Sequence, residues 1–141
     1  MEPPPAPASP CRSLVRAMKD PCPCGGGDYA ACCGRFHSGA EPETAEQCMR
    51  ARYSAYARKD AAFLVRTSHP LMRAKIDAKG LRASFNAGWQ RLEVLAVELG
   101  QAGDQTGTVH FKAHAAAGVM EEISRFCRIG GAWVYRDGKR P

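Results

Sequence analysis

Four cysteines crowded into a short, glycine-rich segment constrain this chain more than any other feature of its sequence. They are Cys22, Cys24, Cys32 and Cys33. A segment this short cannot bury an apolar core of its own, so something else must hold it together. Zinc favours tetrahedral thiolate coordination, and four protein ligands close such a site against substrate water. We therefore predict one structural zinc ion bound by these cysteines, with free thiols as the alternative.

A disulfide framework explains the cysteines less well. The chain has seven of them, an odd number, and the neighbours Cys32 and Cys33 rarely bridge each other because that ring is strained. His37 follows four residues after Cys33 and is the one rival ligand, so a site in which it replaces a cysteine stays open. Cys48 and Cys127 lie outside the cluster, where small buried thiols are expected.

Residues 1–20 are rich in proline and alanine and predict a disordered tail. They lack the apolar stretch of a secretory signal, and the sequence contains no run of about 18 apolar residues that would span a membrane. Together with the unpaired thiols, this pattern predicts a cytoplasmic protein without a membrane segment.

The hydrophobic pattern predicts helices before strands. Thr44 and Gln47 form a capping-box arrangement at the start of a helix that runs to about residue 59. Asp60 caps a second helix. A further short helix is expected around residues 76–85, broken at Gly80.

The pattern changes from residue 89 onward, where four segments are typical of strands. They are residues 89–99, 106–116, 120–129 and 132–136. The short glycine-bearing breaks between them favour antiparallel hairpins. Helices followed by a meandering sheet predict an α+β fold, with the helices laid over one face of the sheet.

The cysteine segment resembles the SEC-C motif, which occurs in the C-terminal tail of the SecA translocase and in many small bacterial proteins. The matching residues are Cys22, Cys24, Gly25, Tyr29, Cys32, Cys33 and Gly34. The loop of this chain is one residue shorter than usual, which removes no ligand.

The downstream sequence is similar to the YchJ-like family, which joins SEC-C motifs to a cone-shaped α+β domain like that of nuclear transport factor 2 (NTF2). Residues 49–56, then Asp60 and His69-Pro70, carry this resemblance together with the paired segments 122–126 and 133–138. Ser68 departs from the family, which tends to have Trp there.

This resemblance covers residues 21–138 and implies a division of the chain into three parts. They are the tail (residues 1–20), a SEC-C zinc knuckle (residues 21–39) and an NTF2-like α+β domain (residues 40–141).

A cone of this kind leaves a pocket between its helices and its curved sheet. The resemblance implies these pocket candidates: Arg50, Arg52, Tyr53, His69, Trp89, Glu122 and Ser124. Glu122 shares a strand face with Ser124, and a carboxylate in such an apolar setting needs a partner, for which Arg50, Arg52 or His69 is expected. We interpret Glu122 as part of an internal salt bridge, with an acid–base or ligand-anchoring site as the alternative, and we assign no catalytic residue.

Basic residues are concentrated in one half of the chain. Residues 50–91 contain ten basic and two acidic residues, a net charge of +8, whereas the charges cancel from residue 92 onward. A solvated helical face is the favoured explanation, and attraction of an anionic partner is the alternative.

The sequence thus predicts a non-enzymatic zinc-binding accessory or adaptor protein. Its knuckle would dock a protein or ribosomal partner, and its cone domain would supply a second ligand- or partner-binding surface. Two alternatives remain: a small isomerase- or dehydratase-like enzyme that uses the pocket, and an RNA or ribosome binder that uses the basic surface of residues 50–91. A homodimer formed through the sheet is also left open.

Overall fold

Helices precede strands in the computed structural model, which describes residues 20–141. After a 3-10 turn (Tyr29–Ala31), the helices are α1 (Cys33–His37), α2 (Ala45–Arg58), α3 (Ala61–Arg66), α4 (Pro70–Arg73) and α5 (Ala78–Phe85). The strands are β1 (Trp89–Leu99), β2 (Thr106–Ala115), β3 (Gly118–Ile129) and β4 (Ala132–Lys139). The predicted tail lies outside the described residues, apart from Asp20.

The four strands form one antiparallel sheet in the order β1-β2-β3-β4. Two irregularities in β1, at Trp89/Arg91 and at Val94/Ala96, interrupt its pairing with β2. Bulges of this kind bend a strand and increase its twist, so they help the sheet to curve around the helices. The predicted α+β fold is confirmed.

Both predicted helix caps are present. The Gln47 amide donates to Thr44 Oγ1 over 3.1 Å, and the Phe63 amide donates to Asp60 Oδ1 over the same distance. Gln47 Oε1 in turn accepts from the amide of Glu43 at 2.7 Å. These local contacts set the starts of α2 and α3.

The predicted break at Gly80 is wrong. Helix α5 runs through this residue, because the Asp77 side chain caps the helix and accepts a hydrogen bond from the Gly80 amide at 2.6 Å. Gly80 therefore lies in the first turn, where it does not interrupt the helix interior.

The core lies between helices α2 and α3 and the inner face of the sheet, where Phe63 and Leu64 pack with Val109, Phe126 and Trp133. The knuckle contributes to this same core through further buried side chains. They are Cys22, Cys24, Cys33 and Phe36. Among residues 20–141, no helix is long and apolar enough to cross a membrane.

Candidate metal centre and cone cavity

The four predicted zinc ligands converge on one point. The Sγ atoms of Cys22, Cys24, Cys32 and Cys33 all lie within 4.8 Å of one another. The Sγ atoms of Cys24 and Cys32 are 3.6 Å apart. In a tetrahedral site with Zn–S bonds of about 2.3 Å, neighbouring sulfurs lie about 3.8 Å apart. The cluster therefore fits a tetrahedral zinc ion, and three of its four cysteines are buried.

Crowding makes the four thiols a poor arrangement without a cation. Hydrogen bonds from the neighbouring Cys24 and Cys33 thiols lower the pKa of Cys22. The bond to Cys22 raises the pKa of Cys33, and burial raises that of Cys32 to about 11. Deprotonation of Cys22 is thus favoured, whereas deprotonation of Cys32 and Cys33 is disfavoured. A divalent cation removes this conflict, because it stabilises all four thiolates together.

The backbone turns tightly around the sulfurs. The Cys22 amide donates to the Gly27 carbonyl at 2.7 Å, and the Gly25 amide donates to the Cys22 carbonyl at 2.9 Å. A Cβ atom at Gly26 would lie 2.8 Å from Cys32 Sγ. A side chain at this position would clash with the Cys32 sulfur. Close packing therefore favours glycine at position 26 of the loop.

His37 lies outside the sulfur cluster. Its Nε2 is 2.8 Å from the Ala51 carbonyl, to which it donates, and its Nδ1 accepts from the Tyr29 hydroxyl. Both ring nitrogens are therefore occupied. Gly34 permits this arrangement, because a Cβ there would lie within 2.9 Å of the Tyr29 ring.

Helix α2 and its neighbour hold the knuckle through contacts that the sequence pattern did not reveal. The Ser54 hydroxyl is 3.4 Å from Cys22 Sγ, and Arg50 Nη1 donates to the Cys24 carbonyl at 3.1 Å. Arg66 Nη2 donates to the Phe36 carbonyl at 3.1 Å. The spacing of Arg50 and Ser54, four residues apart on one helix face, was the only available signal.

Half of the ten basic residues in 50–91 make hydrogen bonds inside the fold. They are Arg50, Arg52, Arg58, Arg66 and Arg73. Arg58 also lies 3.7 Å over the Tyr29 ring, so it ties the knuckle to helix α2. Much of the predicted basic surface thus serves internal structure.

A cavity of about 200 Å³ opens between the helices and the sheet. Five of the seven pocket candidates line it: Arg52, Tyr53, Trp89, Glu122 and Ser124. The other two do not. Arg50 faces Glu46 and the knuckle, and His69 caps helix α4, where its Nδ1 accepts from the Leu71 amide at 3.1 Å. Ser68, the departure from the family, does not line the cavity either.

The prediction that an arginine or a histidine pairs with Glu122 is wrong. Glu122 Oε2 accepts from the Ser124 hydroxyl at 2.6 Å and from the Tyr135 hydroxyl at 3.0 Å. Burial and the nearby carboxylate raise the pKa of Tyr135, which keeps its phenol protonated as a donor. The reason is the strand register, because β4 pairs with β3 and brings Tyr135 to the inner face. The helical cations Arg50 and Arg52 donate to other groups instead.

Arg52 is a buried cation with neutral partners. Its Nη1 donates to the Leu64 carbonyl and to the hydroxyls of Thr67 and Ser68, at 3.1, 2.8 and 3.1 Å. Its guanidinium carbon lies 4.8 Å over the Tyr135 ring. These bonds join helix α2 to the end of α3 and place a positive charge at the cavity wall.

The outer face of the sheet is polar. His110 Nε2 lies 2.6 Å from Glu121, and His114 Nε2 lies 3.1 Å from Glu93. Glu121 and Glu122 are neighbours on β3 and point to opposite faces of the sheet.

The chain is similar in sequence to a described family and to several proteins. The family profile described as YchJ, middle NTF2-like domain, matches residues 44–138. A UPF0225 protein from Streptomyces avermitilis is 47% identical over 131 residues, which cover 91% of this chain and 90% of that protein. A UPF0225 protein from Streptomyces coelicolor is 48% identical over 123 residues, covering 84% and 94%.

Two solved structures are also similar to this fold. The solution structure of a SEC-C motif containing protein from Rhodopseudomonas palustris has a TM-score of 0.75 and 31% identity, and covers 86% of this chain and 99% of that one. The crystal structure of a SEC-C motif containing protein from Psychrobacter arcticus has a TM-score of 0.73 and 25% identity, and covers 88% and 84%.

Proposed function

Since the chain belongs to the YchJ-like UPF0225 family, we propose that it is a zinc-binding accessory protein that docks partners and performs no catalysis. One zinc ion is held by Cys22, Cys24, Cys32 and Cys33. The observation that carries this proposal is the closed cluster of four sulfurs, which leaves no open position for water or substrate. The role of the ion is to fold residues 21–39 against helix α2. Thiolate ligands persist in a reducing compartment, so a cytoplasmic location is part of the proposal.

The knuckle exposes several small residues, which we call the knuckle face. Gly25, Gly26, Ala30 and Ala31 are exposed, and the exposed Arg35 adds a positive charge. Small residues let a partner's backbone approach closely, and the ion makes the face rigid. This face docks a protein or ribosomal partner, and the cone domain contributes a second binding surface.

The two alternatives have weaker support. An enzyme would need an acid–base pair in the cavity, and His69, the expected imidazole, is not part of the cavity lining. RNA binding through residues 50–91 would need free cations, and five of the guanidinium groups in that stretch make internal hydrogen bonds.

Affinity capture at physiological salt tests the docking function. We expect zinc-loaded protein to retain a partner that is lost after chelation and in the variant Ala30→Arg, which places a long charged side chain on the knuckle face. Ala117→Arg, the same change in the exposed turn between β2 and β3, is the matched control and should retain the partner. Equal retention by Ala30→Arg and by the wild type would contradict docking through this face.

A further inference from the structure

The cone cavity holds two opposite charges that do not pair with each other. Arg52 and Glu122 both line it, yet within residues 20–141 neither takes part in a salt bridge. Each is held by neutral groups instead. A molecule that contacts both groups gains a hydrogen bond from each of them.

Glu122 keeps one oxygen available. Both hydroxyl donors, from Ser124 and Tyr135, contact Oε2. Oε1 has no hydrogen-bond partner within the described part of the chain. A carboxylate oxygen in this position accepts a hydrogen bond from an N–H or O–H group of a ligand.

Arg52 keeps two donor groups available. Its side chain is buried, with 8% of the residue exposed, and all three of its hydrogen bonds come from Nη1. Nε and Nη2 have no hydrogen-bond partner among residues 20–141. The guanidinium group with the free donors lies over the ring of Tyr135, and the carboxylate with the free acceptor lies at the hydroxyl of the same side chain.

Aromatic side chains make up much of the remaining wall. Tyr53, Tyr56, Trp89 and Phe111 line the cavity, and the Trp89 indole N–H is already bonded to the Ser84 carbonyl at 2.7 Å. Aromatic faces favour planar ligands. The volume of about 200 Å³ is below the range usual for drug-sized ligands, so the occupant is small. One positive and one negative wall charge cancel, which favours a ligand without net charge.

We propose that the cavity binds a small, uncharged, planar heterocycle whose edge presents an N–H donor to Glu122 and a carbonyl-type acceptor to Arg52. Cyclic amides of the pyridone or pyrimidinone type have this edge. The inference rests on the binding role proposed for the cone domain and names its ligand class. It is independent of the ion at the knuckle.

Titration of the full-length, zinc-loaded protein with 2-pyridone, followed by NMR, tests the inference. We expect resonances of Trp89 and Tyr135 to shift on binding. The matched ligand 1-methyl-2-pyridone keeps the carbonyl and lacks the N–H donor, so it should bind at least about tenfold more weakly. Benzoate and benzylammonium, each with a single charge, should also bind more weakly.

A pair of variants locates the contact. Glu122→Gln turns an amide N–H towards the ligand donor, because its single oxygen is needed by Ser124 and Tyr135, and should weaken 2-pyridone binding about tenfold or more. Glu121→Gln makes the same change on the outer face and should leave binding unchanged. The NMR spectra also report whether each variant is folded.

Three results would overturn the inference: equal binding of 1-methyl-2-pyridone, tighter binding of either charged probe, or no shift with any probe. The comparison of the two pyridones needs no variant, so the inference stays testable if Glu122→Gln fails to fold. Zinc content and partner capture are measured on the same sample. Protein that keeps both and binds no probe would contradict this inference alone, whereas loss of either would count against the proposed function.

Discussion

The Ser54 hydroxyl lies 3.4 Å from the sulfur of Cys22, although 32 positions separate the two residues in the chain. A zinc-bound thiolate would carry no proton, so with the proposed ion in place the hydroxyl would be the donor. Ser54 is fully buried on helix α2 and is thereby a direct link between the cysteine cluster and the helix that also lines the cavity.

Replacing Ser54 with alanine should weaken zinc retention. A hydrogen bond to a ligand sulfur orients the ligand and stabilises its charge, and loss of such bonds typically lowers metal affinity roughly 10- to 100-fold. Competition with a chromophoric chelator measures the change. Ser38→Ala, at an exposed position just after helix α1, is the control and should match the wild type. Equal affinities of Ser54→Ala and wild type would show that the hydroxyl has no part in binding.

The purified protein should contain about one zinc per chain with a first shell of four sulfurs. Elemental analysis and X-ray absorption measure the metal and its ligands. Cys24→Ser should lose most of the zinc, whereas Cys127→Ser should keep it because Cys127 lies outside the cluster. A first shell with fewer than four sulfurs, or full zinc content in Cys24→Ser, would contradict the ligand set.

Chelation should unfold the knuckle and loosen the helices that hold it. Residues 21–39 lack a core of their own, yet Phe36 and three cysteines pack into the core of the domain. We expect hydrogen exchange to show complete loss of protection in residues 21–39, a partial loss in α2 and α3, and retained protection in β1 to β4. Unchanged protection in α2 would mean that the knuckle and the domain are independent. Loss throughout the sheet would mean that they fold only together.

Glu122→Gln should lower the free energy of unfolding by roughly 1–2 kcal/mol, because it replaces a carboxylate that accepts two hydroxyl hydrogen bonds. Denaturant melts measure this change. Glu121→Gln is the control on the outer face and should have a smaller effect, since Glu121 and its partner His110 are half-exposed and such ion pairs contribute little. An unchanged midpoint for Glu122→Gln would show that the inner carboxylate is not structural.

Gly138→Ala should displace the same carboxylate. A Cβ atom at this position would overlap with Glu122 Oε2 and lie 2.8 Å from the Tyr135 hydroxyl oxygen. We expect a loss of about 1–3 kcal/mol of stability from this overpacking. Gly103→Ala is the matched control, because no atom lies within 4 Å of its added Cβ. Equal melting curves for the two variants would show that the residues around Glu122 accommodate the added methyl group without loss of stability.

Local chemistry explains what was predictable. The helix caps at Thr44 and Asp60 join residues three positions apart, and strand alternation relates residues two positions apart. Both patterns can therefore be recognised in short stretches of sequence. The four clustered cysteines lie within one short loop, where spacing and thiol chemistry together indicate tetrahedral metal coordination. The resemblance to the YchJ-like family added the cone, which these local patterns do not specify.

Longer-range contacts were not predictable in the same way. Sequence analysis placed Glu122 on the inner face and assigned it a helical cation, but the pairing of β3 with β4 brought Tyr135 to it instead. The helix rotation that turns Arg52 toward the end of α3 likewise depends on how whole elements pack. Sequence alone thus determined the caps of α2 and α3, the four strands and the cysteine cluster, because these depend on neighbours along the chain. Tertiary structure alone decided which buried groups are paired, because strand register and helix rotation bring together residues that no local pattern connects.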